Sequence, residues 1–302
     1  MTSNPNMTEC LYCRSSGNGG DLNDKKRSLL PLSDFSAVDT NDNPKKLIKY
    51  LEKSNLAPLA KFSRMHLIHI LQPRVGDHIL EIGCGIGYTA QALAKKVGTS
   101  GRVIAIDSSS TMIHESLKRA RPLPRNLEFH LGDAHVLPFK RERFDACISV
   151  STFIHLASPR KALKEIFRVL RPEGRLAILE PDWDTFVIEV GDAHLSEKVI
   201  RVIRGSVPNS GIGHQLPIRL RQSGMKVVSV DAATLLASDF LSANDAWRIE
   251  ASLQRAAISG ILSSVDVQKT MKQLKLASRC GSFFAASTGF AVIAIKPSSG
   301  DE

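Results

Sequence analysis

The sequence predicts an α/β protein built on a doubly wound, mostly parallel sheet with helices on both faces. Three observations carry that expectation. The stretch Ile79-Leu80-Glu81-Ile82-Gly83-Cys84-Gly85-Ile86-Gly87-Tyr88 reads as a short apolar strand, an acidic residue and three glycines at alternate positions, running directly into a helix. From Asp77 to Glu180, short apolar runs alternate with segments of helical periodicity, the rhythm of βαβ units whose strands are covered on both faces. Two of those runs end in acidic residues, Asp107 and, beyond Gly132, Asp133. Sheets of this kind place their ligands at the carboxyl ends of the strands.

Taken in order, residues 1–40 are polar and without sustained periodicity, and are expected to form a flexible leader. Asn43-Pro44 offers an N-cap followed by proline at the first helical position. Leu47, Ile48 and Leu51 give that helix an apolar stripe. A second helix is expected from near Pro58, with Phe62, Met65 and Ile68 or His69 facing inward, so residues 41–74 form a helical pair ahead of the sheet. The strands follow at His78–Ile82, Arg102–Ile106 ending in Asp107, Leu127–Leu131, Phe144–Val150 and Arg175–Glu180. The helix behind the glycines turns Leu93, Ala94 and Val97 to the core and stops at Gly98, and the next carries Met112, Ile113 and Leu117. The helix opening at Ser158-Pro159 buries Leu163, Ile166, Phe167 and Leu170, an i, i+3, i+4, i+7 stripe. Residues 75–182 thus make one unit. In 183–302 the texture changes: a helix with Leu195, Val199 and Ile203, a loop over 211–217, a strand at 226–230, two helices within 242–280 and a final strand over 283–295.

Composition narrows the function. A chain of 302 residues with 43% hydrophobic content is ordinary for a globular protein. It has no apolar run of about 18 residues, so no membrane span is expected. The first residues lack a basic, apolar leader pattern, and the expected compartment is the cytoplasm. The net charge of +10 is spread along the chain, and with three Tyr and two Trp there is no aromatic platform for bases. Solvated faces explain most of the charge; attraction to an anionic substrate, RNA or a membrane surface stays open. Of five cysteines, Cys84 falls in the glycine loop and Cys147 in a predicted buried strand, while Cys10 and Cys13 form a lone C-x-x-C that is half a zinc site at most. No metal is expected.

The glycines let the backbone turn sharply and approach a ligand that side chains would push away. A dinucleotide fingerprint would need glycine at 88, where Tyr stands, and no G-K-[ST] phosphate loop is present. What remains is E-x-G-x-G-x-G, which resembles the first motif of the class I S-adenosylmethionine-dependent methyltransferases. Asp107, at the end of the second strand, can accept both hydroxyls of a ribose. Gly132-Asp133-Ala134, followed by Leu137-Pro138-Phe139, resembles that family's G-D-A-x-x-L-P-F segment. Thr152-Phe153-Ile154-His155-Leu156 is similar to its V-L-x-H-L segment, and Leu170-Arg171-Pro172-Glu173-Gly174 to its L-[KR]-P-G-G turn, with Glu173 replacing the first glycine. The resemblance covers roughly residues 75–180 and is best to the small-molecule branch that includes ubiquinone, menaquinone, sterol and natural-product methyltransferases. More loosely, Glu180-Pro181-Asp182-Trp183 and residues 212–217 look like segments of bacterial members.

That resemblance implies a seven-stranded, Rossmann-like sheet with the last strand antiparallel beside the sixth. The early helices and later insertions would cover the substrate. It implies S-adenosylmethionine as cofactor, with Glu81, Gly83, Cys84, Gly85, Gly87, Asp107, Ser108, Met112, Asp133, Ala134, Ser149 and Val150 around it. Of these, Asp133 would meet the adenine amino group, the adjacent amide a ring nitrogen, and Met112 the ring face. The implied reaction is in-line methyl transfer to an O, N or C nucleophile of a small metabolite, with His155, Asp182 and His214 as candidate bases. The alternatives are an RNA or protein methyltransferase using the basic surface and a non-catalytic cofactor-binding subunit. Against a nucleic-acid acceptor, the N/D-P-P-[YFW] motif and a Pro-Cys nucleophile are both absent.

Overall fold

Seven strands form one sheet in the order β3-β2-β1-β4-β5-β7-β6. They are β1 (His78–Ile82), β2 (Arg102–Asp107), β3 (Leu127–Leu131), β4 (Phe144–Val150), β5 (Leu170–Glu189), β6 (Lys226–Ala237) and β7 (Phe284–Ile295). The computed structural model describes Phe35, residues 37–41 and residues 43–298; Cys10, Cys13 and most of the expected leader lie outside the described residues. Strands β1 to β5 run parallel, and β7 inserts antiparallel between β5 and β6. The expected seven-stranded sheet with an antiparallel last strand is therefore what the chain forms. Its central strands are apolar because both faces are covered: Ile79, Leu80, Ile82, Ala146, Cys147 and Ile148 are all at most 1% exposed.

Helices α1 (Pro44–Leu56) and α2 (Pro58–Leu71) precede the sheet. The Asn43 side chain caps α1 by accepting the Lys46 N–H at 3.1 Å. Part of the expected leader is ordered too: Val38–Thr40 forms a 3-10 turn, with Val38 buried against Leu47, Ile86 and Met112. In α2 the inward stripe is Arg64, Leu67, Ile68 and Leu71, whereas Phe62 and Met65 are 64% and 41% exposed. The expected stripe was rotated because an arginine occupies the buried side, where side-chain type alone predicts solvent.

Helices α3 (Tyr88–Val97), α4 (Ser110–Arg119) and α5 (Pro159–Val169) follow β1, β2 and β4. One sheet face packs on α2 and α3 through Leu67, Leu71, Leu93 and Val97. The other packs on α5 and on α7 (Ile212–Gln222) through Leu163, Ile166, Leu216 and Leu220.

The region after Pro181 departs from expectation in three places. Strand β5 does not stop at Glu180 but continues through a bulge between Asp182 and Val187 to pair with the start of β7. Residues 212–217, expected as a loop, open α7 despite Pro217 inside it. Gly213 lets this helix close on the sheet, since a Cβ there would stand 2.9 Å from that of Asp182. The Asp182 carboxylate takes the place of a local cap by accepting the His214 N–H at 2.6 Å. That cap is 32 residues away in sequence, so no local pattern announces it. Finally, residues 240–279 form three helices rather than two: α8 (Phe240–Trp247), α9 (Ile249–Ile258) and α10 (Ser264–Arg279). Arg248, at φ +50°, breaks the first from the second.

These three helices and α6 (Ala193–Arg204) enclose a second core of Phe186, Val199, Trp247, Leu253 and Leu274. Phe186 and Trp247 meet edge to face at 5.3 Å. Among the described residues no helix is long and apolar enough to cross a membrane. Phe186 is fully buried, so Phe186→Ala is expected to cost about 3–5 kcal/mol, read as a lowered midpoint in thermal or denaturant unfolding.

Candidate functional site

The glycine loop leaves β1 in a left-handed conformation, with φ of +71° at Gly83 and +52° at Gly85. At Gly83 there is also no room: a Cβ would stand 2.1 Å from Thr152 Oγ1. At Gly85 the nearest atom to such a Cβ is Leu51 Cδ1 at 3.8 Å, so the loop opens here toward the space beneath α1. Gly87 faces the other way, with the Phe129 ring 2.9 Å from where a Cβ would be. It caps α3 rather than lining the opening.

Asp107, at the end of β2, accepts the Gly85 N–H through Oδ2 and the Ser109 N–H through Oδ1, each at 2.9 Å. Burial raises its pKa above the ordinary carboxylate range, against the pull of those amides. Each oxygen keeps a lone pair for a further donor. The helix-capping task falls to Ser109, whose Oγ accepts the Met112 N–H at 3.2 Å, and to Asp39. Asp39 accepts from Ser109, Ser110 and Thr111 at the start of α4. Despite the opposing effect of burial, these bonds hold it well below the usual range. Asp39 lies in the stretch expected to be a flexible leader.

Asp133 stands beyond β3 and pairs with His135 Nδ1 at 2.6 Å. Ser108, Met112, Asp133 and Ala134 all face the same cavity as Gly83, Cys84 and Gly85. Cys84 is buried there, and burial pushes its thiol well above its ordinary pKa, so it is an inert wall.

Two further charged groups meet at the base of the loop. Glu81 is 2% exposed, its Oε2 has no hydrogen-bond partner among the described residues, and burial pushes its carboxyl up to about 8. Arg64 is 7% exposed and lies over the Tyr88 ring at 5.4 Å, its guanidinium also donating to Asn55 Oδ1 at 2.8 Å. Sequence reading missed Arg64; the available signal was a lone arginine within an otherwise apolar helix stripe.

On the far side of the loop, Glu180 accepts the N–H groups of Thr152 and Phe153 at 2.8 Å and of Ile154 at 3.1 Å. Burial raises its pKa to about 7 against those three donors. This clamp holds the 3-10 turn Phe153–His155 at the cavity wall. The His155 ring lies 5.6 Å from Phe35, and burial holds its pKa down at about 4.

Of the other sequence candidates, Val150 lines the cavity. Ser149 does not: it is fully buried and donates to the Ile82 carbonyl at 3.1 Å, joining β4 to β1. Asp182 and His214 pair with each other at 2.6 Å and stand apart from His155, outside the residues that line the cavity. Strand alternation is the reason, because Pro181 and Trp183 face the cavity and Asp182 between them faces α7. Asp184 joins that pair closely enough for three metal-ligating atoms to lie within 4.8 Å; the cap on α7 already accounts for this cluster.

Residues 80–178 match the family model described as Methyltransferase domain. An uncharacterized 37.1 kDa protein in transposon TN4556 of Streptomyces fradiae is 34% identical over 248 residues, covering 82% of this chain and 70% of that protein. The demethylmenaquinone methyltransferase of Lactobacillus johnsonii is 36% identical over 117 residues, covering 38% of this chain and 48% of the enzyme. The chain belongs to the class I S-adenosylmethionine-dependent methyltransferases. It spans about half the length of that curated enzyme, and the family model falls on β1 to β5, the cofactor half of the sheet. The solved YcgJ protein of Bacillus subtilis shares the fold, with a TM-score of 0.57 at 19% identity over 79% of this chain and all of that one.

The residues present fit the family's cofactor, S-adenosylmethionine. Asp107 retains acceptor capacity for a diol, Gly85 leaves open space, and the unsatisfied Glu81 Oε2 and the buried Arg64 guanidinium offer hydrogen-bonding partners for an amino-acid end.

The ionisation of Glu81 gives a test of the sign. Its folded pKa, about 8, lies above the ordinary value of 4.5, so the folded state holds the proton more tightly. The stabilising contribution is complete below about pH 4.5 and is lost as pH rises through 8. Thermal unfolding of the cofactor-free protein from pH 5 to 9 is expected to show a steeper fall for wild type than for Glu81→Gln. Parallel curves would contradict the burial assigned to this carboxyl.

Proposed function

We propose that this methyltransferase moves a methyl group from S-adenosylmethionine to an O, N or C nucleophile of a small molecule held beneath α1, α2, α8 and α9. One observation carries the reading. The glycine loop, Asp107 and Asp133 line only one end of a continuous cavity of about 1280 Å³. Away from the loop the cavity is walled by apolar side chains including Trp183, Leu235 and Trp247. That volume exceeds the roughly 300–1,000 Å³ of a typical single-ligand pocket, leaving room for a cofactor and an acceptor together.

When bound, the cofactor would supply an electrophilic methyl on a sulfonium, to be taken up by the acceptor's nucleophilic electron pair while the S–CH3 bonding electrons stay on sulfur. The chain's own residues align and shield this exchange. Asp107 and Asp133 would hold the nucleoside, and Arg64 and Glu81 the amino-acid end. The apolar cover would exclude water and orient the acceptor. His155 lines the cavity and is the candidate base; burial keeps its imidazole neutral but weakly basic, with a pKa of about 4, which suits an acceptor whose own proton is acidic. Asp182 and His214 support α7 in this reading and take no part in proton transfer.

Incubation with methyl-labelled cofactor and fractionated cell extract is expected to place label in the small-molecule fraction; label confined to RNA or protein would overturn the reading. Asp107→Ala is expected to weaken S-adenosylhomocysteine binding by about 10–100-fold, the loss of one or two charge-assisted hydrogen bonds. Unchanged affinity by calorimetry would remove Asp107 from the cofactor site. His155→Ala is expected to lower kcat by about 100-fold while cofactor affinity stays within a factor of two or three.

A further inference from the structure

Helix α10 is packed on one side and open on the other. Val267, Met271, Leu274 and Ala277 enter the second core. On the opposite side Val265, Lys269, Lys272, Leu276 and Arg279 stand at i, i+4, i+7, i+11 and i+14, one stripe of the helix, with Lys275 beside it. All six are exposed. The helix has one acid in its sequence, Asp266, and that side chain completes the cap with Ser263 and pairs with Lys198 at 3.3 Å. Among the described residues no ion pair engages Lys269, Lys272, Lys275 or Arg279. The outer face of α10 therefore carries four cations with no charge to balance them.

Aliphatic side chains share this surface. Val265 is 73% exposed, and Ile258, at the end of α9, is 85% exposed. The turn between them folds back on α9, with the N–H groups of Ile261 and Leu262 both donating to the Ala256 carbonyl. Single exposed aliphatics are ordinary on a protein surface; here they flank one short turn and interleave with unpaired cations. At its other end α10 is tied to α8, where the Phe240 N–H donates to Ser278 Oγ at 3.0 Å. Leu241 follows, 70% exposed, and then Ser242, which is exposed and also lines the cavity. The face thus runs from the turn after α9 to the rim of the cavity.

We infer that the outer face of α10, with the turn after α9, is a docking surface for the anionic face of a phospholipid bilayer. Charge complementarity and the aliphatic residues together select that partner. The lysine and arginine heads meet lipid phosphates and carboxylates, while Ile258, Val265 and Leu276 enter the boundary beneath the headgroups. The alkyl stems of the basic side chains suit the same boundary. A nucleic acid would match the charge but not the aliphatics, and α10 has no aromatic side chain on which a base could stack. Docking leaves the inward side of α10 packed as it is. It brings the rim of the cavity to the bilayer, where apolar molecules concentrate; that consequence rests on the reading of the cavity as an acceptor site, and the docking itself does not.

The test is flotation of the full-length protein with vesicles of phosphatidylcholine alone, or of phosphatidylcholine and phosphatidylserine in about equal parts. Binding to the anionic vesicles is expected to be roughly tenfold tighter or more, and to be lost as salt rises from about 0.1 to about 1 M. K269Q/K272Q is expected to weaken it about 30-fold, near fivefold for each cation removed. I258S/V265S is expected to weaken it at least about threefold, because less apolar area enters the boundary. K95Q/K96Q removes the same charge from exposed positions on α3 and is expected to change binding by less than about twofold. Every altered side chain is exposed, so the variants are expected to keep the wild-type melting midpoint. Absent binding, equal binding to the two kinds of vesicle, or equal losses in K269Q/K272Q and K95Q/K96Q overturns the inference. Binding to poly(U) but not to vesicles, lost in K269Q/K272Q, overturns it too and gives the face to nucleic acid. The measurement needs neither cofactor nor acceptor, so its failure leaves the reading of the cavity untouched.

Discussion

A buried carboxylate, Glu180, fixes the geometry on which the site depends. It stands at the end of the regular part of β5 and accepts three successive amides from the turn after β4. Each such bond is worth about 1.5–3 kcal/mol when the carboxyl is charged; together they counter only part of the cost of taking it out of water, so its pKa stays raised at about 7. The turn so held brings Thr152 back onto β1, where its hydroxyl donates to the Ile82 carbonyl at 3.2 Å. Thr152 then occupies the volume a side chain at position 83 would need. The glycine loop is thus shaped as much by β4 and β5 as by its own glycines, and His155 is delivered to the cavity wall by the same clamp.

Two cores meet at that wall. The first is the sheet with its flanking helices, rigid because its strands are apolar on both faces. The second, around Phe186 and Trp247, lies beneath α6, α8, α9 and α10. Trp183 contacts both cores, and the cavity runs between them. Trp247 belongs to the second core and also lines the cavity, with its ring N–H donating to Ser287 Oγ at 2.7 Å. Packing in the cover and the shape of the acceptor end are therefore one problem.

How much could be read without coordinates follows from where the information lies. The strands β1, β3 and β4 coincide with the predicted runs, residue for residue: β1 and β4 because central strands are apolar on both faces, and the edge strand β3 because its buried residues Leu127 and Phe129 alternate with polar ones. That Asp107, Asp133, Gly83 and Gly85 share one cavity was legible because the strand ends carry short, ordered motifs. Ser149 was misplaced for a simple reason: the period of a strand was ignored at its last turn of alternation, and its side chain points into the sheet's core rather than the cavity. Asp182 and His214 were chosen by residue type, yet alternation along β5 turns Asp182 onto α7. Arg64 and Asp39 went unread since each contradicts the usual rule for its stretch, one a buried arginine and the other an ordered acid in a polar leader.

The sequence by itself determined the parallel sheet through its βαβ rhythm and, through the family, its antiparallel last strand, since these rest on local periodicity and on motifs within a few residues. Only the tertiary structure decided the acceptor end. The cap on α7 comes from a residue 32 positions away, and Phe35 and Tyr50 meet Arg248 across some 200 residues. Such contacts leave no periodic trace, because a side chain that serves a distant element has no reason to follow the pattern of its own.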